Sequence, residues 1–131
     1  MLSVFIATLC LSQEQSFWFE DQANERGVNL TWISGETGTF NMPEIIGGGA
    51  AFIDFDNDGD LDIYFVQGGH FDSKVPEYNI LLRNDNGNFI DVTAQSKTGD
   101  AGYGMGVAVG DYNNDTFPDL YITNVGKNTL L

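Results

Sequence analysis

Basic residues, thiols and long apolar runs are all scarce in this chain. Five lysines and arginines face nineteen aspartates and glutamates in 131 residues, a formal net charge of −14. Such a chain repels phosphate backbones and anionic lipid surfaces, which removes nucleic acid from its partners. One cysteine, Cys10, and one histidine, His70, allow neither a disulfide framework nor a thiolate or imidazole cluster for zinc. The most apolar stretch, in residues 1–12, runs for about ten residues, half of the ~20 that a spanning helix needs, so no stable membrane span is expected. Its length suits the hydrophobic region of a signal peptide, removed before Gln13, although it has no basic start. Export to an extracellular, periplasmic or cell-surface setting is the expectation, and it leaves the mature chain without cysteine.

What is present is enough for one packed domain and no more: 42% of the residues are hydrophobic and 13% aromatic. Thirteen of the nineteen acids are aspartates, and eight of these crowd into residues 54–62 and 111–119. The two windows belong to an internal repeat. At an offset of 57 residues, GGGAAFIDFDNDGDLDIYFVQGG (47–69) pairs with GMGVAVGDYNNDTFPDLYITNVG (104–126), with identities at Gly47/Gly104, Gly49/Gly106, Ala51/Ala108, Asp54/Asp111, Asn57/Asn114, Asp58/Asp115, Asp62/Asp119 and Tyr64/Tyr121. Likeness resumes at an offset of 49, where Asn79-Ile80-Leu81-Leu82 matches Asn128-Thr129-Leu130-Leu131. The chain therefore divides into a leader-like segment 1–12, an entry segment 13–46, a first unit 47–103 and a shortened second unit 104–131.

Short apolar or β-branched runs flank each acidic window, at 50–55 and 61–66 and again at 107–109 and 120–123, so each window is a loop between two strands. Residues 78–83 and 88–93 are further strands joined through Asn84-Asp85-Asn86-Gly87, whose Asn-Gly is a hairpin signal. Residues 28–33 have strand composition as well. Four strands per unit, repeated at this period, predict an all-β chain of antiparallel four-stranded propeller blades. About one and a half blades are present. The propeller they come from would close with seven, and seven such units need roughly 400 residues. The chain is accordingly expected to be a piece of a longer frame, or a short form that associates to cover its bare blade faces.

Asp54, Asp56, Asp58, Asp60 and Asp62 hold positions 1, 3, 5, 7 and 9 of the first loop, with Gly59 at position 6. Residues two apart in a curled loop aim their carboxylates at one centre, position 7 offers its carbonyl, and glycine permits the bend. Bare, these carboxylates repel one another; a hard divalent cation removes the penalty. An oxygen-only, flexible donor set favours Ca²⁺ over the strictly octahedral Mg²⁺. The second loop offers Asp111, Asn113, Asp115 and Asp119, with the Phe117 carbonyl at position 7. Two calcium ions are expected, one per loop. The second should be weaker, for it has fewer charges and Thr116 in place of the glycine. An EF-hand is excluded, since it needs a bidentate Glu at position 12 and flanking helices; Phe65 and Ile122 stand there and the flanks are strands.

With these residues in view, the run from Gly47 through DFDNDGDLDIYFV, then Asn79-Ile80-Leu81-Leu82-Arg83-Asn84 and Gly87-Asn88-Phe89-Ile90-Asp91-Val92-Thr93, resembles FG-GAP/VCBS repeats. The narrower resemblance is to the ASPIC/UnbV and cartilage-acidic-protein type. It covers roughly residues 40–131 and is looser in the second unit, where Thr116, Phe117 and Pro118 depart from Asp-Gly-Asp. The resemblance implies the calcium-bearing β-propeller of integrin alpha N-terminal domains, calcium at the positions already named, an extracellular setting, and binding or adhesion rather than catalysis.

Catalysis has little else to rest on. His70 follows Gly68-Gly69 with no nucleophile motif beside it, Glu44 and Glu77 have no visible acid/base partner, and the aromatics around Trp18 and Trp32 have the composition of a core as much as of a sugar platform. Two function classes stand. The first is a secreted, non-enzymatic, calcium-stabilised propeller segment that binds an extracellular protein or glycan. The second is the non-catalytic propeller portion of a secreted hydrolase or lyase.

Overall fold

The computed structural model describes residues 18–70 and 76–131. The leader-like residues 1–12 lie outside them. Seven strands and two single-turn helices follow in order: α1 (Met42–Ile46), β1 (Ala50–Ile53), β2 (Asp62–Phe65), β3 (Ile80–Asp85), β4 (Asn88–Asp91), α2 (Thr93–Ser96), β5 (Gly104–Gly110), β6 (Asp119–Asn124) and β7 (Thr129–Leu130). They form two antiparallel sheets in simple meander order, β1-β2-β3-β4 and β5-β6-β7. The all-β expectation holds, with a four-stranded first unit as read from the sequence. The second sheet has three strands.

The hairpin β3–β4 is tighter than the sequence implied. Its strands run up to Asp85 and Asn88, leaving a two-residue loop. Asn86 and Gly87 both take positive φ, at 55° and 87°, which matches the twist of the flanking strands. Residues 28–33 form no strand. They instead follow the end of β2 through side-chain and single backbone bonds: Ile33 N donates to Gln67 Oε1 at 3.0 Å, Gln67 Nε2 to the Thr31 carbonyl at 3.0 Å, and Gly69 N to the Ile33 carbonyl at 2.9 Å. The short helices escaped the sequence reading because four or five residues carry no helical period. Asn41 and Glu44 do mark the start of α1, where the Glu44 carboxylate reaches back to the Asn41 N–H at 3.3 Å.

Alternation along the strands gives each sheet two faces, and the register carries one row of side chains across both in parallel. Ala51, Tyr64 and Leu81 line up across the first sheet, and their repeat mates Ala108, Tyr121 and Leu130 across the second. The core forms where the Tyr64 face of the first sheet meets the opposite face of the second. Ile53, Tyr64, Val66 and Leu81 pack there on Leu120 and Ile122, with Val107 and Phe55 beside them. Glycines let the backbones come this close. A Cβ on Gly49 would stand 3.1 Å from Gly106 Cα, and one on Gly104 would fall 2.2 Å from Val66 Cγ1.

Polar groups tie the strand ends, buried in the first unit and exposed in the second. Asn79 Oδ1 accepts from Gln67 N at 2.7 Å, and in the second unit Asn128 Oδ1 accepts from Asn124 N at 3.0 Å. The shared asparagine of the Asn-x-Leu-Leu motif is thus a backbone clamp in both units. Asn128 Nδ2 also donates to the Tyr121 hydroxyl at 2.8 Å. Its counterpart Asn79 Nδ2 is buried with no hydrogen-bond partner among the described residues. The Tyr64 hydroxyl donates to the Thr98 carbonyl at 2.8 Å, and burial pushes its pKa up to about 12, opposed by the neighbouring Asn79 amide. Between the two units, Asp100 accepts from Thr129 Oγ1 at 2.9 Å and from Asn124 Nδ2 at 2.8 Å. Among the described residues no helix is long and apolar enough to cross a membrane.

Candidate metal centre

The β1–β2 loop is held in shape by its own backbone. Asp54 Oδ1 accepts from Asp58 N at 3.1 Å and its Oδ2 from Gly59 N at 3.2 Å; Asp58 Oδ1 accepts from Asp60 N at 2.8 Å. Asn57 and Gly59 take positive φ, 57° and 93°, to close the curl. One carboxylate oxygen from each of Asp54, Asp56 and Asp58 then lies within 4.8 Å of the others, Asp56 and Asp58 exposed and Asp54 half-buried. Three oxygens so placed, two of the carboxylates already held by the turn, are compatible with a hard cation such as Ca²⁺.

Asp62 sits apart from these three in its surroundings. It is fully buried, and both its oxygens hold main-chain amides: Oδ2 accepts from Phe55 N at 2.9 Å and Oδ1 from Asn84 N at 2.8 Å. The carboxylate therefore pins the start of the loop to β3. Burial raises its pKa above the ordinary 3.8, with the Asp56 and Asp58 charges pushing the same way, against the lowering effect of the two amide bonds. Each oxygen keeps a second lone pair, so the pin does not prevent metal ligation. Asn84 was read from the sequence only as part of a turn. Here its N–H holds Asp62, its Nδ2 donates to the Leu61 carbonyl at 3.0 Å, and its Oδ1 accepts from Gly87 N at 2.6 Å.

The β5–β6 loop repeats four of these bonds. Asp111 Oδ1 accepts from Asp115 N at 3.1 Å and its Oδ2 from Thr116 N at 2.9 Å, Asp115 Oδ1 accepts from Phe117 N at 2.9 Å, and Asp119 Oδ2 accepts from Tyr112 N at 2.7 Å. Asn114 takes the φ of its mate Asn57, 58°. Asn113, in place of Asp56, turns its amide on the neighbouring carboxylate, Nδ2 donating to Asp115 Oδ2 at 2.8 Å. The loop thus replaces one ligand charge by an internal hydrogen bond. Asp60 and Phe117, the two position-7 residues, show through their N–H bonds that the backbone turns alike at both places.

The residues matched by the FG-GAP-like repeat family run from 54 to 122, over half of the chain, and include both loops. The chain belongs to the FG-GAP-like repeat family. That membership fits the two meander sheets, which have the form of propeller-type blades, and it brings the acidic loops into register with a repeat of which calcium binding is a frequent property. No curated protein and no solved structure matches the chain.

Within this FG-GAP-like pair, Thr116 is the locally strained residue. A β-branched side chain holds φ at 77° where the first loop has Gly59. Beyond its two chain neighbours, no atom of the described residues lies within 4 Å of the place a Gly59 Cβ would take, so the cost at this turn position comes from the backbone rather than from crowding. Thr116→Gly is expected to stabilise the chain by about 1 kcal/mol, read as a rise in the urea midpoint at unchanged slope. An unchanged or lower midpoint would show that the loop tolerates the threonine at no cost.

Proposed function

We propose that the chain is a calcium-binding portion of an extracytoplasmic β-propeller of the ASPIC/UnbV and cartilage-acidic-protein type, with the metal structural and the propeller loops serving protein or glycan binding rather than catalysis. The observation that carries this reading is the Asp54, Asp56 and Asp58 oxygen cluster on a turn already shaped by Asp54 and Asp58. The like hydrogen-bond pattern of the β5–β6 loop supports a second ion there, with Asp111, Asn113, Asp115 and Asp119 and the Phe117 carbonyl around it. Asp62 and the Asp60 carbonyl complete the first set. The apolar residues 1–12 support export. Seven blades would close the ring, the remainder coming from sequence beyond this chain or from other copies.

Extracellular calcium modules hold their ion with dissociation constants of ~10⁻⁴ to 10⁻³ M. Calorimetric titration with CaCl₂ is expected to give about two ions per chain on this scale, the tighter one lost in Asp56→Asn with Asp58→Asn. That pair is chosen because it leaves the Asp54 turn bonds intact. Absence of binding heat, or a stoichiometry unchanged by the substitutions, would overturn the assignment. Mg²⁺ should compete poorly, because a cage this open does not enforce octahedral geometry.

A further inference from the structure

Five basic residues serve the whole chain, and Arg83 stands where β3 meets the first acidic loop. The strand register sets it there: Ile63 pairs with Leu82, so the next step along both strands brings Arg83 level with Asp62, the last acid of that loop. Asn84, one residue on, is bonded to the loop twice, through N–H to Asp62 Oδ1 at 2.8 Å and Nδ2 to the Leu61 carbonyl at 3.0 Å. The side chain of Arg83 is held as well. Its Nε donates to Asp85 Oδ1 at 2.8 Å and its Nη2 to Asp85 Oδ2 at 2.9 Å, a two-point pair that fixes the plane of the guanidinium. Its field reaches further than these bonds. Hydrogen bonding and charge at Asp85 raise the Arg83 pKa most, and the Asp56 and Asp58 carboxylates raise it further. Among the described residues Arg83 bonds to neither of those two, which belong to the cluster of oxygens within 4.8 Å of one another.

We propose that Arg83 sets the calcium affinity of the first loop, steadying the loop when it is empty and weakening its hold on the ion, with Asp85 fixing and partly neutralising the guanidinium. The signs follow from Coulomb's law. Without a cation, a positive group near Asp56 and Asp58 relieves the repulsion among three close carboxylates. With Ca²⁺ among them, the same group meets a divalent like charge, so it favours the loaded loop less than the empty one. Affinity is the difference between the two, and the arginine shrinks it. The proposal rests on the calcium reading of Asp54, Asp56 and Asp58. Lys97, an exposed base that follows α2 on the connection to the second sheet, supplies the contrast of a positive charge outside this corner.

Calorimetric titration with CaCl₂ at low ionic strength, paired with urea unfolding in EDTA, tests it. Arg83→Gln is expected to bind the tighter ion about 2- to 5-fold more strongly, the reach of one partly exposed charge, and to be less stable than the unsubstituted chain in EDTA. A residue that merely shaped the loop would lower both affinity and stability when replaced. Arg83→Lys, which keeps the charge, should bind close to the unsubstituted chain. Asp85→Asn, which leaves the guanidinium uncompensated, should bind about 2- to 5-fold more weakly. Lys97→Gln, which removes the same charge elsewhere, should match the unsubstituted chain, and the Arg83→Gln gain should shrink at high salt. Should Arg83→Gln fail to fold, the Asp85→Asn and Lys97→Gln titrations carry the test, and an Asp85→Asn affinity equal to or above that of the unsubstituted chain overturns the proposal. If the unsubstituted chain binds calcium, an affinity unchanged or weakened in Arg83→Gln overturns the proposal and leaves the calcium reading standing, as does a Lys97→Gln gain as large as that of Arg83→Gln. An unsubstituted chain that takes up no calcium overturns that reading, and the proposal with it.

Discussion

Asp62→Ala is expected to cost the fold about 2–4 kcal/mol even with calcium chelated, because it strands two main-chain donors rather than one ligand. Phe55 N and Asn84 N both end on this one buried side chain. Alanine offers neither an acceptor, and the pocket that encloses the carboxylate gives water a poor route to replace it. Asn84 N–H anchors the end of β3 to the loop, so the loss should spread to the β2–β3 pairing. Guanidinium or urea unfolding in EDTA measures it; a cost below about 0.5 kcal/mol would place Asp62 among the ordinary surface acids. Asp62→Asn removes the charge together with one of the two acceptors, so it should cost less than alanine.

The same residue gives a pH signature whose sign can be worked out. Its folded pKa lies above the ordinary 3.8 because burial opposes the charge. Just above pH 4 the folded chain therefore holds more protons at this site than the unfolded chain does, and stability must fall as pH rises through the folded value. The stability difference between the unsubstituted chain and Asp62→Asn, measured in EDTA, should favour the aspartate most at the acid end and shrink toward neutrality. Taking the difference removes the titrations that the two chains share.

Asp62 also shows where sequence and structure part. In the sequence it is one of five alternating aspartates, indistinguishable from Asp54 or Asp58 by spacing. Only the fold reveals that two backbone amides converge on it, since Asn84 comes from a strand twenty-two residues later. The strands were legible for the opposite reason: their signal is local. Short apolar or β-branched runs stand on either side of each acidic loop, and the repeat writes those runs twice. The Asn79 and Asn128 clamps were visible as a repeated letter without a role. Asp100, which ties the two units by accepting from Thr129 and Asn124, stands outside the repeated blocks and gave no signal at all. The segment 28–33 had the composition of a strand but meets the first sheet through Gln67 side-chain bonds, a tertiary choice that propensity does not record.

Calcium itself should produce the other large change, and its origin in the loop's charges can be isolated. At one hundred times the dissociation constant, a single site stabilises by about 2.7 kcal/mol, which for a chain of this size is a rise of about 10 °C in Tm. The Asp56→Asn, Asp58→Asn variant should lose the share of that gain owed to the first loop. In EDTA the same variant should be as stable as the unsubstituted chain or more so, because two of three carboxylates held within 4.8 Å no longer repel and the Asp54 bonds to the turn survive. The two measurements pull in opposite directions only if the acids are there for a cation. A solvated acidic turn with no guest would show the EDTA gain and no calcium response, and a turn that needs these side chains for its shape would lose stability in EDTA. The second loop supplies a natural comparison, for Asn113 already stands where Asp56 does and donates to Asp115. Its geometry needs less relief from a cation, so whatever calcium response persists in the double variant should require higher concentrations than the first loop does.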